Sequence, residues 1–281
     1  MKNFKITVFG SQPYDEKYLK AANETDTFKS HHIQLDFQPI PLSESTVPLA
    51  DGSDAICVFV NDTVDAPVLN ALHNAGVKAI LLRCAGYNNV DLKEADKLGL
   101  FVAHVPAYSP EAVAEFAVTL MMTLNRQTHR AYNRVREGNF ALNGLMGFTV
   151  SGKTVGLIGT GRIGVCAAKI LNGFGCKVLG YDPYQNDSFK KQGTYVELDE
   201  LLEKSDIISL HAPLMANTKH IINKDTLAKM KDGAMVINTS RGALVSLTPH
   251  FYGGILLTIH PGRHSSRHRC TQEQKTWRPS N

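Results

Sequence analysis

The sequence predicts an α/β chain with two parallel-sheet domains, and three observations carry that expectation. From Phe4 to Ala103, short β-branched runs alternate with helical patterns. Such alternation implies parallel strands joined by helical crossovers. Thr154-Val-Gly-Leu-Ile-Gly159-Thr-Gly161-Arg-Ile-Gly164 then sets an apolar strand before G-x-G-x-x-G, with the apolar spacing of a helix from Val165 to Phe174 behind it. A second apolar run, Lys177 to Tyr181, ends at Asp182, 18 positions after Gly164. An acid roughly 20 residues past the last glycine is the spacing of a dinucleotide-binding unit. Both domains are therefore expected to be parallel-sheet units, Rossmann-like or flavodoxin-like. The first covers 1–104 and the second 105–245, with 246–281 as a tail of different character.

Taken in order, residues 4–10 read as a strand, Asp15 to Ala22 as a helix and His32 to Phe37 as an alternating strand. Pro39, Pro41 and Pro48 punctuate a loop. Ala55 to Val60 is a buried strand, Ala66 to Asn74 a helix, Lys78 to Arg83 a strand. The loop Cys84 to Asp91 leaves that strand's carboxyl end, where ligands sit in open parallel sheets. A helix to Leu98 and a strand at Leu100 to Ala103 follow, then an extended connector, Val105-Pro-Ala-Tyr-Ser-Pro110. Pro110 and Glu111 start a helix whose span Ala112 to Leu124 is apolar nearly all round. It fits an interdomain core helix or a homodimer interface equally. Past Asp182, helices are expected at Leu198 to Lys204 and Lys224 to Lys231. Strands at Asp206 to Leu210 and Ala234 to Ile237 lead into the loops His211-Ala-Pro-Leu and Asn238-Thr-Ser-Arg-Gly242.

The glycine loop has a physical reading at each position. Gly159 allows the tight turn out of the strand, Gly161 lets the backbone approach a pyrophosphate, and Gly164 lets helix and strand pack closely. The helix N-terminus offers unpaired N–H groups to the phosphates. Asp182 can accept from both ribose hydroxyls and repels a 2′-phosphate, so NAD is expected over NADP. Gly147-Phe-Thr-Val-Ser-Gly152-Lys-Thr154 matches G-x-x-x-x-G-K-[ST], but the strand follows the lysine instead of preceding the glycines, which excludes a P-loop. Arg241 is a permanently charged, two-pronged donor suited to a carboxylate.

Composition bounds the rest. The chain has 281 residues, 43% hydrophobic and 20% charged, as in globular proteins of about two domains. No stretch is apolar enough to span a membrane, and the start of the chain is a strand pattern without a signal peptide's apolar region. Five scattered cysteines without a C-x-x-C pair suggest reduced thiols and a cytoplasmic protein. The net charge of +4 lies wholly in 246–281, with five bases against Glu273, so the body offers no basic surface for nucleic acid.

With these segments in hand, the chain resembles the D-isomer-specific 2-hydroxyacid dehydrogenase family, most of all its fermentative D-lactate dehydrogenases. The resemblance rests on Arg83-Cys-Ala-Gly-Tyr-Asn-Asn-Val-Asp91, Val105-Pro-Ala-Tyr-Ser-Pro-Glu-Ala-Val-Ala-Glu115, Asn125-Arg-Gln-Thr-His-Arg-Ala-Tyr132, the Gly159–Gly164 loop, Tyr181-Asp-Pro-Tyr184 and Asn238-Thr-Ser-Arg-Gly-Ala-Leu244. It implies NAD-dependent, reversible reduction of a 2-keto acid such as pyruvate, in a cleft between the two domains. It implies that Ala85 and Gly86 hold the substrate carboxylate with backbone amides and that Tyr108 lies near the substrate. Arg162, Ile163, Asp182, Ala212, Pro213, Asn217, Thr239 and Ser240 match cofactor contacts. Arg241 matches the arginine that binds substrate and polarises its carbonyl, and counts with the cofactor contacts too.

The resemblance stops after Leu244-Val245. The family's later acidic motif and catalytic histidine have no matching positions in 246–281, where the family's C-terminal completion of the fold is expected to be missing. Without that acid, turnover would fall by roughly 10²–10⁴. An alternative follows for this sequence: a non-catalytic NAD(H)-binding sensor or interaction protein. His260, His264 and His268 are spaced i, i+4, i+8 with Cys270 nearby, but Pro261 and Gly262 oppose a shared helix face. No metal is expected, and 246–281 reads as a basic tail without structure.

Overall fold

The computed structural model describes residues 3–246 and the backbone of 255–258. They divide into two compact units, with Tyr108 the last residue of the first and Ser109 opening the second. Tyr87 and the connector through Tyr108 thus both belong to the first unit.

In the first unit the chain runs β1 (Phe4–Val8), α1 (Pro13–Asn23), α2 (Asp26–Lys29), β2 (Ile33–Phe37), β3 (Ala55–Val58), α3 (Ala66–Asn74), β4 (Ala79–Leu82), α4 (Leu92–Lys97) and β5 (Phe101–His104). The strands form one parallel sheet in the order β2-β1-β3-β4-β5. Asp65 caps α3 by accepting from the Val68 amide at 3.3 Å, satisfying one of the donors a helix start leaves unpaired. The helix buries Val68, Leu69 and Leu72 into a core with Ile56, Val58, Ile80 and Leu82. The loop carrying Pro48 contains a 3-10 turn, Glu44–Ala50, where the sequence predicts only a connection.

The second unit runs α5 (Pro110–Arg126), α6 (Thr128–Arg136), β6 (Thr154–Ile158), α7 (Arg162–Gly173), β7 (Lys177–Tyr181), α8 (Asp187–Lys190), β8 (Thr194–Tyr195), α9 (Leu198–Lys204), β9 (Ile207–Leu210), α10 (Lys224–Leu227), β10 (Met235–Asn238) and β11 (Ile255–Thr258). Its parallel sheet has the order β8-β7-β6-β9-β10-β11, which in chain order of the strands is 3-2-1-4-5-6. That is the strand order of a dinucleotide-binding sheet, with its switch point between β6 and β9. Alternate strand residues face opposite layers. Leu157, Ile207 and Ile237 pack with α5 and α7, while Ile158, Ile208 and Val236 pack with Leu201 and Leu202 of α9.

Three expectations need correction here. The segment 246–281 is not wholly without regular structure, because Ile255–Thr258 pairs in parallel with Met235–Asn238 as the sheet's sixth strand. An apolar, β-branched run beside an open parallel edge satisfies that edge's backbone donors and acceptors. Helix α5, whose apolar pattern predicts burial on more than one side, buries one side among the described residues. Ala114, Ala117, Val118, Met121 and Leu124 face the core, while Phe116 is exposed. Helix α10 ends at Leu227, four residues short of the expected Lys231, and turns replace its last residues.

The rejected P-loop is a turn docked on α5. Phe148 donates its amide to Asn125 Oδ1 at 2.9 Å, and Asn125 Nδ2 donates to the Phe148 carbonyl at 2.8 Å. Strand β6, not a helix, follows Lys153.

Candidate functional site

In the second unit the site is built at the carboxyl ends of β6, β7, β9 and β10. Gly159 leaves β6 with φ +97°, a conformation side chains rarely adopt. A Cβ there would stand 2.5 Å from the Ala212 nitrogen and 2.6 Å from the His211 carbonyl carbon, so the chain leaving β6 touches the chain leaving β9 backbone to backbone. A Cβ on Gly164 would overlap the Gly159 carbonyl, which is how α7 sits so close to the strand. Gly161 differs: nothing lies within 4 Å of its would-be Cβ. The first amides of α7, from Arg162, Ile163 and Gly164, donate to no described group. Open space in front of a helix's unpaired donors is the cradle a pyrophosphate needs, so these residues fit the cofactor. Arg162 is exposed, and Ile163 is partly buried against the core.

Asp182 follows β7. Its Oδ2 accepts from the Thr160 amide at 2.8 Å and its Oδ1 from the Tyr184 amide at 2.9 Å. Oδ2 also lies 3.3 Å from the Thr160 hydroxyl, and Oδ1, with one donor, keeps a lone pair for a ligand hydroxyl.

Two further loops line the same end of the sheet. After β9, Ala212 is buried against Gly159, the Pro213 carbonyl accepts from the Thr218 hydroxyl at 2.6 Å, and Asn217 is exposed. After β10, the Asn238 side chain holds the turn from both sides. Its Nδ2 donates to the Arg241 carbonyl at 2.9 Å, and its Oδ1 accepts from the Ser240 amide at 2.9 Å. Ser240 Oγ donates to the Leu210 carbonyl at 3.0 Å, tying this loop to the end of β9. Thr239 Oγ1 is buried without a described partner. Arg241 Nη1 donates to the Ser240 carbonyl at 3.2 Å, and no described carboxylate forms an ion pair with the guanidinium. A charged fork left without an acid is available to a ligand carboxylate.

His211 has no catalytic assignment from the sequence. Its Nε2 lies 3.0 Å from Ser209 Oγ, and its Nδ1 is buried without a described partner. Burial lowers the ring's pKa from 6.5 to about 4. The folded protein then resists a proton that the unfolded chain accepts below pH 6.5, so stability present above pH 6.5 is lost as pH falls toward 4. Between pH 7.5 and pH 5 the loss from this group is expected to be about 2 kcal/mol. In urea unfolding at both pH values, His211→Gln should remove that share of the pH dependence, and an unchanged dependence would refute it.

In the first unit the loop after β4 presents Ala85 and Gly86. Their carbonyls are engaged: Ala85 O lies 3.0 Å from His104 Nδ1, and Gly86 O accepts from Cys84 Sγ at 3.2 Å. Their amides donate to no described group. That leaves two adjacent donors for an anion. Beside the loop, Arg83 is locked in place. Its Nε pairs with Asp15 at 3.3 Å with both side chains largely buried, its Nη2 donates to the Gly10 carbonyl at 3.0 Å, and its guanidinium lies over Phe59. Asp62 accepts at 2.6 Å from the amides of both Leu42 and Phe59. Burial nevertheless pushes its carboxyl above the ordinary range. Tyr108 is 70% exposed, and no described residue bonds it.

Sequence reasoning missed Thr160, Tyr195 and Asn186, which bond one another behind Asp182. Only Thr160 carried a signal, as the residue between the first two motif glycines. The tail residues His260, His264, His268 and Cys270, and any counterpart of the family's acid and histidine in 247–254 or 259–281, lie outside the described residues. Among the described residues no cluster could hold a metal ion, and no helix is long and apolar enough to cross a membrane.

Comparison with known proteins identifies the family. The family model for the D-isomer specific 2-hydroxyacid dehydrogenase catalytic domain matches residues 6–154, and the model for the NAD binding domain of the same family matches 118–248. The chain is 56% identical over 265 residues to a D-lactate dehydrogenase, kk1H, of Curvularia clavata, covering 92% of this chain and 76% of that protein. It is 51% identical over 242 residues to D-lactate dehydrogenase of Escherichia coli K12, covering 86% and 72%. The apo structure of D-lactate dehydrogenase from Escherichia coli superposes with a TM-score of 0.79 at 50% identity, covering 86% of this chain and 76% of that one. D-lactate dehydrogenase from Aquifex aeolicus, complexed with NAD and lactic acid, superposes with a TM-score of 0.74 at 34% identity, covering 85% and 70%. The relatives are dehydrogenases, and a binding protein without turnover is not favoured. The chain belongs to the D-isomer-specific 2-hydroxyacid dehydrogenase family.

Proposed function

We propose that this chain reduces a 2-keto acid, pyruvate foremost, to the D-hydroxy acid, reversibly and with NAD as its cofactor. The observation that carries the reading is the open space beside the Gly161 backbone together with three unpaired α7 amides, with Asp182 fixed beside it. Gly159, Gly161, Arg162, Ile163 and Gly164 hold the pyrophosphate, and Asp182 the adenosine ribose. Ala212, Pro213, Asn217, Thr239 and Ser240 line the rest of the cofactor's path. When bound in its reduced form, the cofactor supplies the hydride, and the new hydroxyl takes its proton from water. The amides of Ala85 and Gly86 bind the substrate carboxylate, with Tyr108 close by. Arg241 binds the substrate and draws electron density from its carbonyl, beside the cofactor.

The names of the relatives, D-lactate dehydrogenases among them, support pyruvate as the substrate. A homodimer is part of the same reading. Phe116 on α5 and the chain after it, with Tyr132, Val135, Phe140, Leu142 and Met146, expose apolar side chains, up to 91% at Met146. Such a surface fits a second copy better than water. Free thiols at Cys57, Cys166 and Cys176 support a reducing, cytoplasmic setting.

The test is NADH oxidation by the purified chain with excess pyruvate, with chiral analysis of the product and NADPH run in parallel. D-lactate formed with NADH, at a kcat/KM at least about tenfold above that with NADPH, is the expected result. L-lactate, or a preference for NADPH, would overturn the reading. Sedimentation of the same sample should give twice the chain mass.

A further inference from the structure

The geometry points to Tyr195 as a positioning residue for cofactor discrimination, acting through Thr160 on Asp182. The inference rests on the NAD reading above and names the device behind it.

Tyr195 lies on β8, the sheet's two-residue outermost strand, with its ring tilted against Phe189 at 5.0 Å. Gly180 on β7 permits that packing, since a Cβ there would run into the Phe189 ring and, at 2.9 Å, into Thr160 Cγ2. The Tyr195 hydroxyl is 2.6 Å from Thr160 Oγ1 and accepts from the Asn186 amide at 2.8 Å. Thr160 Oγ1 is 3.3 Å from Asp182 Oδ2. Thr160 is 1% exposed, so water cannot replace these partners.

The direction of every proton follows from the ends of the chain. An ionised carboxylate only accepts, so the Thr160 hydroxyl spends its one proton on Asp182. Tyr195 must then donate to Thr160, and the Asn186 amide fills the acceptor place on the tyrosine. Asn186 Nδ2 also donates to the Thr160 carbonyl at 3.2 Å. Tyr195 thereby ties together the glycine loop, the acid after β7 and the start of α8. Each oxygen of Asp182 already holds one backbone amide, which sets the carboxylate's plane. The hydroxyl chain fixes the rotamer of the residue that supplies one of those amides. A carboxylate locked in that plane meets ribose hydroxyls and opposes a 2′-phosphate; a loosened one can turn away from both.

The test is direct titration with NADH and NADPH of the full chain, followed by nicotinamide fluorescence, which does not depend on turnover. Tyr195→Phe keeps the ring and removes the hydroxyl. Thr160→Val keeps the shape and the backbone amide to Asp182. Each should weaken NADH about tenfold, leave NADPH nearly unchanged, and so shrink the preference for NADH about tenfold. In an Asp182→Ser background, Tyr195→Phe should leave the NADH-to-NADPH ratio where it is. A ratio within about twofold of the parent in both single variants overturns the inference. So does a tenfold fall that persists without Asp182, since Tyr195 would then act through the fold at large. A parent chain that binds NADH no better than NADPH overturns the cofactor reading itself, and this inference with it.

Discussion

Gly159→Ala should cost the second unit about 3 kcal/mol or more of stability, while Gly161→Ala, two residues on, should cost almost none and instead abolish tight NADH binding. At Gly159 two penalties combine. A φ of +97° is strained for any residue with a Cβ, worth about 1–2 kcal/mol. The added methyl would also stand 2.5–2.8 Å from the Ala212 nitrogen and the His211 carbonyl. Those neighbours are backbone, so no rotamer change relieves the overlap, and overpacking of this kind adds about 1–3 kcal/mol. Relief requires parting β9 from β6, where the His211 amide donates to the Ile158 carbonyl at 2.7 Å. Such a loss is a large fraction of a domain's stability of about 5–15 kcal/mol.

At Gly161 the backbone is already in a region open to alanine, with φ −65°, and the methyl meets nothing within 4 Å. Its only structural cost is a poorer helix cap, about 1 kcal/mol at most. The methyl would, however, stand where the pyrophosphate must approach the α7 amides. Urea unfolding and NADH titration of both variants separate the two roles. Parent-like stability in Gly159→Ala would sink the close-approach argument. Parent-like NADH affinity in Gly161→Ala would place the phosphates elsewhere.

The same contrast explains what could be read in advance. The glycine loop and Asp182 are legible because strand, turn, helix and second strand are contiguous, and each glycine's task is local. Helices α3 and α9 and strand β7 have the bounds the apolar spacing predicts, since each buries one well-marked face or run. Helix α6 was not legible, because Thr128–Arg136 buries no residue and its few apolar positions, Ala131, Tyr132 and Val135, are too short a run to set a period. Strand β8 is two residues long, too short for a period. The Thr160–Tyr195–Asn186 bonds join three separate segments, and the Arg83–Asp15 pair joins the end of β4 to helix α1. Neither can be seen until the sheet order brings the segments together. β11 was hidden differently: Ile255 to Thr258 is a plain strand-like run, set among residues whose basic, proline-containing character masked it.

Arg241→Gln should lower kcat/KM for pyruvate about 10³-fold and weaken oxamate, a pyruvate isostere, about 10²-fold, both larger losses than any in NADH affinity. The side chain enters from a loop that is itself firmly held, by Asn238 on both sides and by Ser240 on the end of β9. Its guanidinium makes one bond of ordinary length to a neighbouring carbonyl and pairs with no described acid. Positive charge on a fixed backbone, uncommitted within the unit, is preorganised for an anion, and little of its binding energy is lost to ordering. Removing one partner of a desolvated, hydrogen-bonded charge pair typically costs about 2–5 kcal/mol, which sets the size of the expected fall. Arg241→Lys discriminates further. Lysine keeps the charge but offers a single point donor in place of a planar fork, so it should recover only part of the loss. If lysine restores parent activity, charge alone suffices and the two-pronged contact is wrong. If glutamine costs less than about tenfold, Arg241 does not touch the substrate, and the carboxylate is held by the Ala85 and Gly86 amides without it.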